Sequence, residues 1–145
     1  MPSGNWPSGS GPIVIHPFAS APDKTWPASH FLAVAEHLRS SNPLFIGGPA
    51  DDLSPFRAFR TLAASPLSEI KRLLSTASLF IGNDSGPAHM AAAFGVPVVA
   101  IFGASDPVVW APWRTASEVV TAPGGIARVE VSRVLDALAR LRVHA

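Results

Sequence analysis

A doubly wound α/β domain, in which one Rossmann-like parallel sheet is covered by helices on both faces, is the fold class this sequence predicts. Three observations carry that expectation. Short apolar runs such as Ile13 to His16, Leu44 to Ile46 and Val96 to Phe102 lack the polar alternation of a half-solvated strand. Stretches with helical apolar spacing stand between them. Several runs end in clusters of Gly, Pro, Ser or Asp, and in such sheets ligands sit beyond the carboxyl ends of the strands.

The elements follow in order. Met1 to Pro12 is a Pro/Gly/Ser segment without periodicity, expected as a flexible N-terminal linker, with the folded domain spanning 13–145. Ile13 to His16 is a buried strand. A helix opens near Pro27 and places Phe31, Val34, Ala35 and Leu38 on one face. Leu44 to Ile46 is the next strand, ended by Gly47, Gly48 and Pro49, and Leu53 to Leu62 reads as helical. Ser65 is expected to cap a helix with Pro66 at its first position and Ile70, Leu74 and Ala77 along its stripe. Leu79 to Ile81 is a buried strand bounded by Gly82, and Gly86 with Pro87 marks the first turn of a helix running to about Phe94. Val96 to Phe102 reads as a central parallel strand with Pro97 at its start, and Glu118 to Thr121 as a weaker one. Ser132 is expected to cap a last helix whose Val134, Leu135, Leu138 and Leu141 face the core.

Composition removes several function classes. The chain has 145 residues and 48% apolar content, the size of one domain with a sizeable core. Only 14% of residues are charged and the net charge is +1, without a basic stripe, which argues against nucleic acid as a partner. The absence of cysteine excludes disulfides, thiolate metal sites and a cysteine nucleophile, and fits a reducing compartment. No segment approaches the roughly 20 apolar residues needed to span a bilayer, and no basic-then-apolar signal opens the chain. The expectation is a cytoplasmic protein with at most peripheral membrane contact.

Four loops fall at the ligand-facing ends of the strands: Pro17 to Trp26, Gly47 to Leu53, Gly82 to Pro87 and Gly103 to Trp113. Lys24, the first lysine of the chain, lies beside Ser20, and the two side chains suit a diphosphate; a surface pairing of Lys24 with Asp23 is the alternative. Asp51 and Asp52 stand where a carboxylate commonly takes ribose hydroxyls, or else cap the following helix. The backbone N–H groups of Ser85 and Gly86, backed by a helix dipole, suit phosphate or a sugar hydroxyl. Asp84 would repel phosphate, so it either caps the helix or accepts hydrogen bonds from hydroxyls. His89, three residues after Gly86, is a further candidate phosphate donor or a packing residue. His16 reads as a core or loop-bracing residue. Trp110 and Trp113, after Asp106 and Pro107, either stack on a base or close the core, with closure favoured.

The segments HPFASAPDKTWPASHF (16–31), FIGGPADD (45–52), LFIGNDSGPAHMAAAFGVPVVAIFG (79–103) and SDPVVWAP (105–112) resemble the C-terminal half of the heptosyltransferases, glycosyltransferase family 9. Several motifs in one order make the resemblance specific, and it covers about residues 13–142. It implies one half of a GT-B fold that binds a nucleotide-sugar donor, typically ADP-heptose, for transfer to a lipopolysaccharide core or similar glycan acceptor. It implies Ser20, Lys24, Ser85 and Gly86 on the donor diphosphate, Asp84 on the donor sugar and Asp51 on the ribose. Inverting transfer without metal or cofactor follows from it, with the catalytic base in an N-terminal acceptor domain outside this chain. Such a chain alone is expected to be inactive, exposing a face for that domain on a separate chain or for self-association. A stand-alone nucleotide-sugar binding module and a truncated, inactive gene product are the other readings. Two residues depart from the family pattern: Phe18 stands where glycine is usual, and Asp51 replaces glutamate, shortening the reach to the ribose.

Overall fold

The computed structural model describes residues 11–19, 25–48, 50–63, 67–83, 86–102, 117–122 and 125–144. Among them are six strands and four α-helices: β1 (Ile13–His16), α1 (Ala28–His37), β2 (Leu44–Gly47), β3 (Arg60–Ala63), α2 (Leu67–Thr76), β4 (Leu79–Asn83), α3 (Gly86–Ala93), β5 (Val98–Ile101), β6 (Ser117–Val120) and α4 (Val131–His144). All six strands pair in parallel in the order β3-β2-β1-β4-β5-β6. The expected fold class is therefore the observed one. The chain starts in the middle of the sheet, builds outward to β3, then returns to lay β4 against the free side of β1.

Alternate residues of each central strand enter opposite cores, which is why those strands show no polar alternation. Ile13, Ile15, Leu79, Ile81, Val99 and Ile101 pack with Phe31 and Val34 of α1 and with Val134, Leu138 and Leu141 of α4. Val14, Ile46, Phe80, Val98 and Ala100 pack on the other face with Leu74 of α2 and with Ala88, Ala91 and Ala92 of α3. The reversal of direction after β3 puts α2 and α3 opposite α1, as right-handed crossovers require. The small side chains of α3 let that helix lie close to β4 and β5. Immediately before β1, the Pro12 carbonyl accepts the Ser78 N–H at 2.9 Å, so the chain enters the sheet already tied to the start of β4.

Three expectations are corrected. Leu53 to Leu62 is not a helix: a single 3-10 turn at Ser54–Phe56 is followed by the edge strand β3. Pro55 sits in the first turn, and Phe56 turns inward to stack on Phe45 with ring centroids 4.3 Å apart. β3 escaped notice because an edge strand is half solvated, and Arg60 and Thr61 are exposed. Ser132 does not precede the last helix but lies within it, since α4 begins at Val131 and the Arg133 N–H reaches the Glu130 carbonyl. The strand read over Val96 to Phe102 is shorter, Val98–Ile101, although Val96 and Phe102 remain buried at its flanks. The proposed cap at Ser65 and Pro66 lies outside the described residues.

Phe45 is fully buried between Phe56 and Phe59. Phe45→Ala should lower unfolding free energy by about 3–5 kcal/mol in urea titration, and a loss below about 1 kcal/mol would contradict this account of the core.

His16 ends β1, with Phe18 edge-on at 5.9 Å and Nδ1 buried without a partner. Burial pushes its imidazole down from 6.5 to about 4, against the opposing pull of the Asp51 carboxylate. The unfolded chain takes up a proton near pH 6.5 and the folded chain only near 4, so this contribution to stability is complete above 6.5 and is lost as pH falls through that window. The loss approaches about 3 kcal/mol at pH 4. Urea midpoints from pH 7 to pH 4 should fall more steeply for the wild-type chain than for His16→Gln; parallel curves would show that His16 is not held neutral by the fold.

Candidate functional site

The carboxyl ends of the strands bring the candidate loops to one edge. His16 lies opposite Gly82, Gly47 opposite Ala63, and Asn83 opposite Ile101. The connection leaving β1 runs toward β2 on one face, and the one leaving β4 runs toward β5 on the other. In doubly wound sheets the ligand crevice lies where neighbouring strands send their connections apart, and that switch point falls here between β1 and β4. α3 begins at Gly86, so its N-terminal backbone N–H groups lie at this edge.

Asp51 is built into the end of β2. Its Oδ2 accepts the Gly48 N–H at 2.8 Å, while its own N–H donates to the Gly48 carbonyl at 3.1 Å. This reciprocal turn holds a half-buried carboxylate beside the strand end with only one oxygen committed to the turn. Asp52 differs. It is exposed and accepts the Ser54 N–H at 2.9 Å, and hydrogen bonding from the Ser54 hydroxyl, then from that N–H, holds its carboxyl below the usual range. The two aspartates, equivalent in the sequence, thus separate into a turn-forming residue at the strand end and a residue that starts the 3-10 turn.

Phe18 occupies the space above Gly47. A Cβ on Gly47 would lie 2.8 Å from Phe18 Cε2 and 3.1 Å from the Asp51 Cβ, so the glycine is what admits the aromatic ring. The ring meets His16 and Phe56 edge-on at 5.9 and 6.3 Å. Phe18, His16 and Asp51 therefore form one wall of the edge over β1 and β2. His16 braces this wall and is uncharged at neutral pH.

Two buried positions at this edge escaped the sequence reading. Asn83, the last residue of β4, is fully buried, and its Oδ1 accepts the backbone N–H of Trp26 at 3.0 Å. Trp26 is also fully buried, and its indole N–H donates to the Val129 carbonyl at 2.9 Å. The only signal in the sequence is a polar residue closing the apolar run LFIGN, which was read as part of the turn.

Of the predicted site residues, the structure places Asp51 and Gly86 on this edge, and His89 exposed on α3. Ser20, Lys24, Asp84 and Ser85 lie outside the described residues, as do Asp106, Trp110 and Trp113. Among the described residues there is no group of three His, Asp or Glu side chains that could hold a metal ion, and no helix long and apolar enough to cross a membrane.

Comparison with known proteins agrees with this geometry. Residues 5–133 match glycosyltransferase family 9 (heptosyltransferase). Over 118 residues the chain is 35% identical to lipopolysaccharide heptosyltransferase 3 of Escherichia coli, a match that covers 72% of this chain and 35% of that protein. The structure of E. coli ADP-heptose lipopolysaccharide heptosyltransferase II superposes with a TM-score of 0.79 at 25% identity, over 94% of this chain and 48% of the other. TibC, a dodecameric iron-containing glycosyltransferase of enterotoxigenic E. coli, superposes with a TM-score of 0.64 at 25% identity, over 81% of this chain and 34% of the other. The chain thus spans about a third of the length of the curated relatives it matches. It belongs to glycosyltransferase family 9, the heptosyltransferases, and carries a partial glycosyltransferase domain of that family.

Proposed function

We propose that residues 13–145 form the donor-binding half of an inverting GT-B glycosyltransferase, preceded by a linker over residues 1–12, and that the donor is an ADP-sugar of the ADP-heptose type. The observation that carries this reading is the switch point of the sheet between β1 and β4, with the Asp51 turn and the N-terminus of α3 at the same carboxyl edge. Ser20 and Lys24 contact the diphosphate from the β1 side, and Ser85 and Gly86 contact it from the β4 side. Asp51 accepts ribose hydroxyls with the oxygen left over from its turn. Asp84 takes donor sugar hydroxyls, where its negative charge is favourable, and His89 is available to the phosphates.

In transfer, the bond from the anomeric carbon to the diphosphate breaks as the acceptor hydroxyl attacks and loses its proton to a carboxylate base. The donor half stabilises the leaving diphosphate through Lys24 and the N–H groups at the start of α3. No step assigned to these residues calls for a metal or a cofactor. The base and the glycan or lipid-linked acceptor belong to a complementary acceptor-binding half, and the setting is cytoplasmic.

Calorimetric titration of the 145-residue chain should show binding of ADP in preference to UDP and GDP. Lys24→Ala should weaken ADP roughly tenfold to a hundredfold, the loss of about 1.4 to 3 kcal/mol expected of a charge-assisted contact. Asp51→Asn, which keeps an acceptor for the Gly48 N–H, should weaken ADP but leave inorganic pyrophosphate unchanged. An intact fold with ADP affinity unaltered in both variants would remove the site. Glycosyl transfer from ADP-heptose by this chain alone would contradict the placement of the base elsewhere.

A further inference from the structure

Trp26 ends the connection that leaves β1 and leads into α1, and it is held from two sides. Its backbone N–H is bonded to Asn83 at the tip of β4, 57 positions away in sequence, and its indole N–H to Val129, 103 positions away. The ring packs edge-on against His30 at 5.1 Å and Phe31 at 5.0 Å. Asn83 uses only part of its amide in this arrangement, because Nδ2 is buried with no partner. A fully buried amide with an unpaired donor is costly, so the position is not explained by packing alone. An apolar side chain of similar size would spare that cost but would leave the Trp26 N–H without its acceptor.

The bond joins two short stretches of chain. Lys24 lies two residues before Trp26, and Asp84 and Ser85 directly follow Asn83. We propose that Asn83 is a positioning residue of the donor site: by accepting the Trp26 N–H, it locks the end of the loop after β1 to the end of β4 and so fixes the spacing of the two donor-facing loops across the crevice. The indole bond to Val129 extends the lock to the segment that leads into α4. This inference rests on the donor-binding reading above.

The test uses the full 145-residue chain and three variants: Asn83→Ala, which removes the acceptor; Asn83→Asp, which keeps an oxygen in the same place; and Asn83→Ser, which stays polar but is too short to reach Trp26. ADP affinity is measured by calorimetry, amide hydrogen exchange at Trp26 by NMR, and melting temperature in parallel. Asn83→Ala should speed exchange of the Trp26 amide at least tenfold and weaken ADP about tenfold, with Asn83→Asp restoring most of both. Asn83→Ser gives the same comparison where the alanine variant does not fold. A lower melting temperature with ADP affinity unchanged is what a merely structural role produces, and it would overturn the proposal. Equal losses in Asn83→Asp and Asn83→Ala would overturn it too. Absence of ADP binding by the wild-type chain would contradict the donor-binding reading itself, whereas equal ADP binding by wild type and Asn83→Ala contradicts only the positioning role.

Discussion

The register of β1 on β4, with Ile13 opposite Leu79 through His16 opposite Gly82, is the constraint on which the rest of this structure depends. These strands are 63 or more positions apart in sequence, and between them the chain builds β2 and β3. Laying them side by side puts the end of β1 beside the end of β4 and makes their outgoing connections diverge to opposite faces. The crevice is a consequence of that pairing rather than of any one loop. Short of its carboxyl end the β1–β4 boundary is also apolar on both faces, with Ile13, Ile15, Leu79 and Ile81 toward one core and Val14 and Phe80 toward the other. Sliding the register would strand one set of side chains against the wrong helices.

Fold class was legible because apolar runs and helical stripes are properties of local sequence. Val14 and Ile15 serve different cores, so β1 reads as uninterrupted apolar sequence, and the same holds for β4 and β5. The edge strand β3 was hidden for the opposite reason: with one side solvated, Arg60 and Thr61 carry no burial signal. Strand order is a long-range property that no local pattern encodes. At the site, Asp51 was legible because glycines and a carboxylate at a strand end have a recognisable chemistry. Its distinction from Asp52 was not, because that depends on which backbone N–H each carboxylate reaches, Gly48 for one and Ser54 for the other. Asn83 and Trp26 were illegible as a pair, since their bond spans 57 positions.

The carboxyl edge also carries polar strain. Nδ1 of His16, Nδ1 of His30 and Nδ2 of Asn83 are buried without partners, and two of these belong to strand ends at the crevice while the third packs on Trp26. Among the described residues these unpaired polar groups gather at one edge, which fits a region shaped for binding at some expense in stability. Phe18 works in the other direction: its ring fills the space over Gly47 and covers part of the β2 end with apolar surface beside the Asp51 carboxylate.

The central claim is that a nucleotide diphosphate binds across the β1–β4 boundary at the carboxyl edge of the sheet. The most direct measurement is the map of backbone amide shifts when ADP is added to the isotope-labelled chain. The account predicts that the perturbed amides cluster at His16 to Ala19, Gly47 to Asp51 and Asn83 to His89, with the opposite edge around Asn42, Arg60 and Gly95 silent. Shifts centred on that opposite edge, or on the outer faces of α2 and α4, would contradict it.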